Sequence, residues 1–173
     1  TFMKKLTFRG ATFAVCLLAL FLSVDARSAP SEPRDDLTGA WRGKVQGTSG
    51  MLAAMKDLEF MYAFNLGGTM MESSNYDAAP PAPPAYGIWR KVGAHQYEAK
   101  YEFFWTKAPT SFDEIAKGGG WPPGGHGVLT QKITLKDDGN VFNSTIRLDL
   151  FDQQGQSVDG GGEGTGQGAR IRF

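Results

Sequence analysis

Apolar and polar side chains alternate most cleanly over residues 127–152, GVLTQKITLKDDGNVFNSTIRLDLFD. Leu129, Ile133 and Leu135 interleave with Thr130, Lys132, Thr134 and Lys136. After Asp137-Asp138-Gly139-Asn140, Phe142, Ile146, Leu148 and Leu150 interleave with Asn143, Thr145, Arg147 and Asp149. A period of two on both sides of a Gly-containing turn predicts a β-hairpin with one apolar and one wet face. The same reading predicts further strands at 41–47, 58–65, 69–75, 86–92 and 95–106, and a last one from Ser157 towards the end of the chain. Helical turns are expected at 51–55 and 111–117. The prolines of 77–85, DAAPPAPPA, bar that stretch from a sheet interior and make it a stiff surface loop, with a ligand for a polyproline-binding domain as the alternative.

Eight short strands in succession predict an all-β fold, an eight-stranded antiparallel up-and-down β-barrel, which leaves no exposed sheet edge. Alternate connections then lie at the same end. The first, third and fifth are long and ring one mouth, while the second, fourth and sixth are tight and close the other end. The first strand starts and the last strand finishes at the closed end, so Trp41 and Arg170 are expected to be neighbours. In the last strand Gly160, Gly162, Gly164, Gly166 and Gly168 fall on every second residue. One face of that strand therefore has almost no side chains, and either large rings fill the space or a cavity is left. A flexible tail is the competing reading of the same glycines.

The residues before the first strand change the picture. Lys4, Lys5 and Arg9 precede an apolar run at 11–24, and small residues follow at Ala26, Ser28 and Ala29. This pattern predicts a secretory signal peptide over 1–26, a polar leader over 27–36 and a barrel domain over 37–173. The run is short for a membrane span. Cys16 is the single cysteine and lies within it, so the exported chain has no thiol and depends on its core. Without residues 1–26 the chain has 15 basic and 17 acidic side chains and no basic cluster, which argues against nucleic acid. Export is expected to end in the periplasm or outside the cell, with no stable membrane insertion after cleavage. An outer-membrane barrel would share the length and loop pattern, but it needs apolar outward positions along every strand. The third strand offers Met71 and Ser73 on one side and Met70, Glu72 and Ser74 on the other.

Gly39-Ala40-Trp41 at the start of the first strand resembles the G-x-W motif of lipocalins and other calycins. The resemblance implies that an arginine of the last strand, here Arg170, packs over Trp41 and plugs the barrel floor. The layout of FNLGGTMMES, GIWRKVG and RLDLFDQQGQ…GTGQGARI also resembles small exported bacterial barrels of the allene oxide cyclase type, most of unknown function. The second lipocalin motif, T-D-Y, is absent. The resemblance implies a calycin-like architecture, and a Trp41–Arg170 stack that is structural.

Chemistry is sparse. Two histidines, His95 and His126, and no thiol after export give no metal-ligand spacing, and no nucleophile elbow, phosphate loop or dinucleotide fingerprint is present, so neither metal nor cofactor is expected. His95 reads as a solvated turn residue. Glu98, Glu102, Arg147 and Asp149 read as the wet outer face. Aromatic density is what remains: Tyr62, Trp89, Tyr97, Tyr101, Phe103 and Trp105 project into the barrel, with Trp121 and His126 at the mouth in the long connection 107–126. Rings in a barrel either fill it or line a pocket. The expected function is non-enzymatic binding of a small apolar or aromatic molecule, with 107–126 as a lid. The alternatives are a cofactor-free isomerase or cyclase using His126 or a tyrosine, and a module that binds a protein or an envelope component through its loops.

Overall fold

The computed structural model describes residues 36–78, 82–116 and 120–173. The expected signal peptide and nearly all of the leader lie outside these residues, as does the centre of the proline tract. Eight antiparallel strands close into a barrel in sequence order, β1 returning to β8. They are β1 (Gly39–Gly47), β2 (Leu58–Phe64), β3 (Thr69–Ser74), β4 (Ala85–Gly93), β5 (Gln96–Thr106), β6 (Pro123–Leu135), β7 (Val141–Asp152) and β8 (Ser157–Arg170). Two short helices, α1 (Gly50–Ala54) and α2 (Phe112–Ala116), interrupt the β1–β2 and β5–β6 connections. This is the all-β, up-and-down barrel that the alternation predicts.

The strands form because their period of two puts one apolar face inward. In β7 the even positions Phe142, Ile146, Leu148 and Leu150 are buried and the odd ones Asn143, Thr145 and Arg147 are exposed. The outer face carries the ion pairs Arg42–Glu59, Arg90–Glu98, Lys100–Glu102 and Arg147–Asp149. Glu98, Glu102, Arg147 and Asp149 therefore decorate the outer surface, as expected. Such exposed pairs contribute little to stability, and their consequence is a charged exterior.

The closed end is a plug. Trp41 and Arg170 are register partners, and the Arg170 guanidinium carbon lies 4.3 Å from the Trp41 ring centroid. Arg170 also donates to the carbonyls of Gly139 (3.0 Å), Thr38 and Asp36, while the Trp41 indole donates to the carbonyl of Leu37 at 2.9 Å. Leu37, Trp41 and Phe142 are buried beneath it, with the Trp41 and Phe142 rings 5.1 Å apart.

The glycine face of β8 is filled at this end. A Cβ on Gly168 would stand 2.2 Å from Phe142 Cζ, so the missing side chain is the space in which the Phe142 ring lies. Nearer the mouth the β8 glycines are covered differently. A Cβ on Gly162 would meet the Ser49 carbonyl at 2.3 Å, Thr48 N donates to the Glu163 carbonyl at 2.7 Å, and Glu163 N donates to Ser49 Oγ at 3.0 Å. The bare backbone of β8 lets the segment leading into α1 lie against it.

One boundary differs from the sequence reading. Residues 123–126 belong to β6, not to the preceding connection. The reason is steric: a Cβ on Gly124 would lie 2.2 Å from the Trp105 ring and one on Gly127 would lie 2.4 Å from the Phe103 ring. The glycines that suggest a loop are where β6 must pass beneath two rings of β5. Pro123 stands at the first position of the strand, where its missing N–H is tolerated.

Candidate functional site

The lower half of the barrel is packed. Tyr62 stacks on Phe64 at 5.6 Å and meets Phe142 and Tyr101 edge-on, while Trp89 meets Phe64 and Tyr97 at 5.9 and 5.8 Å. The Trp89 indole donates to the carbonyls of Asn65 and Thr69, both at 3.1 Å. Tyr62, Trp89, Tyr97 and Tyr101 thus project inward as their period predicts, and they form the core of the closed half.

A buried polar layer crosses this core. Gln131 is 2 % exposed; its Oε1 accepts from the Tyr101 hydroxyl at 3.2 Å, and its Nε2 donates to Ser144 Oγ at 2.8 Å and to the Tyr62 hydroxyl at 3.4 Å. Burial pushes both tyrosine hydroxyls well above their ordinary range, so they remain protonated donors. Each hydroxyl has a partner, which is what allows these groups to be buried at all.

Above this layer the barrel opens into a cavity of about 300 Å³. Phe60, Leu129, Leu148, Leu150, Phe103 and Trp105 form its apolar wall. Trp105 is fixed by its indole N–H, which donates to the Phe151 carbonyl at 3.1 Å. The rim comes from Met51, Leu52 and Met55 in and after α1, from Tyr76, Asp77, Ala82 and Pro83 of the β3–β4 connection, and from Val158 and Asp159 of β8. Two of these connections are tied together: the Tyr76 hydroxyl donates to the Lys56 carbonyl at 2.6 Å and accepts from Lys56 N at 3.1 Å.

The cavity contains one deeply buried titratable group that the aromatic reading missed. Glu72 of β3 lies opposite Tyr62 of β2 on the inner face and is 6 % exposed. Its Oε1 is buried without a hydrogen-bond partner. Burial raises its pKa from 4.5 to about 8, and the neighbouring Asp77 adds to the rise. Asp77 itself accepts from Ser74 N and Ser74 Oγ, both at 2.7 Å. The signal was present in the sequence: Glu72 shares the even face of its strand with Met70, which is buried. A carboxyl on a core face is out of place structurally and calls for another explanation.

Of the residues singled out from the sequence, Phe103 and Trp105 line this cavity, and Tyr62, Trp89, Tyr97 and Tyr101 lie in the core below or beside it. Trp121 is 40 % exposed and does not belong to the lining. His126 pairs with Phe104 and Phe151 and stacks on the Phe151 ring at 5.0 Å; Phe104 is 70 % exposed, so His126 sits on the outer face. From Gly127 to Leu135 the buried residues of β6 are the odd ones, and His126 lies on the opposite face to them. The expected lid is also relocated. Among the described residues, none of the β5–β6 connection lines the cavity, and α1 with the β3–β4 connection forms the rim instead.

Fold and cavity together define a class, an eight-stranded up-and-down barrel closed by a Trp–Arg plug and open at one mouth. No protein-family model and no curated protein sequence matches the chain.

Proposed function

We propose that this is an exported, calycin-like barrel that binds a small apolar or aromatic molecule in its mouth cavity. The observation that carries the reading is the cavity itself: about 300 Å³, walled by Phe60, Phe103, Trp105, Leu129, Leu148 and Leu150, with a buried carboxyl among them. Its volume is at the lower end for small-molecule sites, and an apolar wall with few polar groups is their usual composition. The Trp41–Arg170 stack supports the calycin-like assignment, and the ion-paired exterior favours a barrel surrounded by water over one surrounded by lipid.

A second reading, a cofactor-free isomerase or cyclase, is favoured by Glu72 and no longer by His126. A carboxyl held near neutrality in an apolar pocket is what proton transfer to a bound molecule requires.

Native mass spectrometry of the protein from its exported fraction, without detergent, tests the binding reading. A small molecule released in stoichiometric amount supports it, and its chemical change on incubation would favour the second reading. An empty protein, with no exported fraction carrying a ligand, refutes the binding role and moves the function to the loops and a protein partner.

A further inference from the structure

The mouth cavity has a charge character as well as a size. Three carboxylic side chains line it, Glu72, Asp77 and Asp159, and among the described lining residues there is no Lys, Arg or His. Four rings, Phe60, Tyr76, Phe103 and Trp105, surround the same space. Carboxyl oxygens beside aromatic faces favour a cation with an apolar body, because ring quadrupoles attract positive charge and the carboxylate supplies its counterion. Acidic side chains alone would not make a site. The independent observation is Glu72 Oε1, which is buried in the cavity wall with no donor in reach, although most buried carboxyl oxygens are bonded.

Building on the proposed binding role, we infer that the ligand is an organic ammonium ion, a primary or secondary amine on a small apolar or aromatic body, whose N–H donates to Glu72 in the mouth cavity. The rings of Phe103 and Trp105 hold the body, and the ammonium group supplies the donor that Glu72 Oε1 lacks. The proton balance follows. In the empty cavity the Glu72 carboxyl is protonated at pH 7, since its pKa is raised to about 8. When R–NH3⁺ enters, Glu72 gives its proton to the buffer and an ion pair forms, so binding releases up to one proton per site.

Calorimetric titration of the purified protein tests this with 2-phenylethylamine and its neutral counterpart 2-phenylethanol, in two buffers of different ionisation enthalpy at pH 7. The expected result is about tenfold or tighter binding of the amine, with heats that reveal proton release to the buffer. Glu72→Gln, which keeps the shape and an N–H donor, is expected to lower the ratio of amine to alcohol affinity about tenfold or more and to remove the proton release. Equal affinities for amine and alcohol, or no proton release, overturn the ammonium assignment and leave the binding role standing. Failure of both probes to bind a protein that also emerges empty from native mass spectrometry overturns the two together. Proton release is read on the unmodified protein, so the test does not depend on the variant folding.

Discussion

Glu72 and Tyr62 face each other across the β2–β3 pair, both directed inward, one a carboxyl oxygen without a partner and the other a hydroxyl held by Gln131. This juxtaposition places a proton-binding group at the boundary between the packed half of the barrel and the open half.

The stability of the empty protein should therefore fall as pH rises. Glu72 in the folded state has its pKa raised from 4.5 to about 8. Between these values the unfolded chain has released the proton and the folded chain still holds it, so rising pH favours unfolding across this window and the effect levels off above about pH 8. Denaturant titrations from pH 5 to 9 check it. Glu72→Gln should remove this part of the slope and be more stable than the parent at pH 9, by on the order of a few kcal/mol. A slope unchanged in the variant would show that Glu72 is not the group responsible.

Replacing Arg170 tests the plug. Arg170→Ala loses the stack on Trp41 and the bonds to three backbone carbonyls, and should cost about 2–4 kcal/mol in chemical denaturation. Arg170→Lys should recover only part of this, since a point charge cannot serve three separate carbonyls and stack as a plane. Full recovery with lysine would mean that charge alone matters at this position.

The fit of Phe142 over Gly168 gives a coupling prediction. Gly168→Ala should destabilise by about 1–3 kcal/mol, because the new methyl occupies the space of the Phe142 ring tip. In a Phe142→Leu background the same change should cost less, and a double-mutant cycle measures the difference. Additive effects would show that the ring and the glycine do not constrain each other.

Binding and fold should separate along the barrel. Phe103→Ala and Trp105→Ala should weaken a cavity ligand about tenfold or more, whereas His126→Ala should leave its affinity unchanged, because the imidazole lies on the outer face. Titration of the three variants with the same ligand decides this. A loss of affinity in His126→Ala would require a second site outside the barrel.

Much of this architecture could be read from the chain because a period of two reports directly on which face is buried. Phe142, Ile146 and Leu148 need only counting, and Arg170 falls beside Trp41 because the first strand starts and the last strand finishes at the closed end. Residues 123–126 read as loop because glycine has two uses that look alike in a sequence: freedom in a loop and absence of bulk under a ring. Gly124 and Gly127 serve the second, and only the positions of Trp105 and Phe103 reveal it. His126 reads as part of the mouth connection only if β6 starts at Gly127; with the strand starting at Pro123 it is a strand residue on the outer face. Glu72 is legible on the face of Met70, where a charged side chain interrupts a buried face. That the first and third connections ring the mouth follows from their length, but which of their residues face the cavity does not, since the placement of α1 depends on the bare backbone of β8.

The bond between Tyr76 and Lys56 joins the two connections that carry most of the rim, and neither connection takes part in the Trp41–Arg170 plug. The cavity rim and the plug consequently occupy opposite ends of one barrel. On the proposed binding role, substitutions around the mouth would change what enters while the floor keeps the strands in register, so cargo and foldability would vary separately.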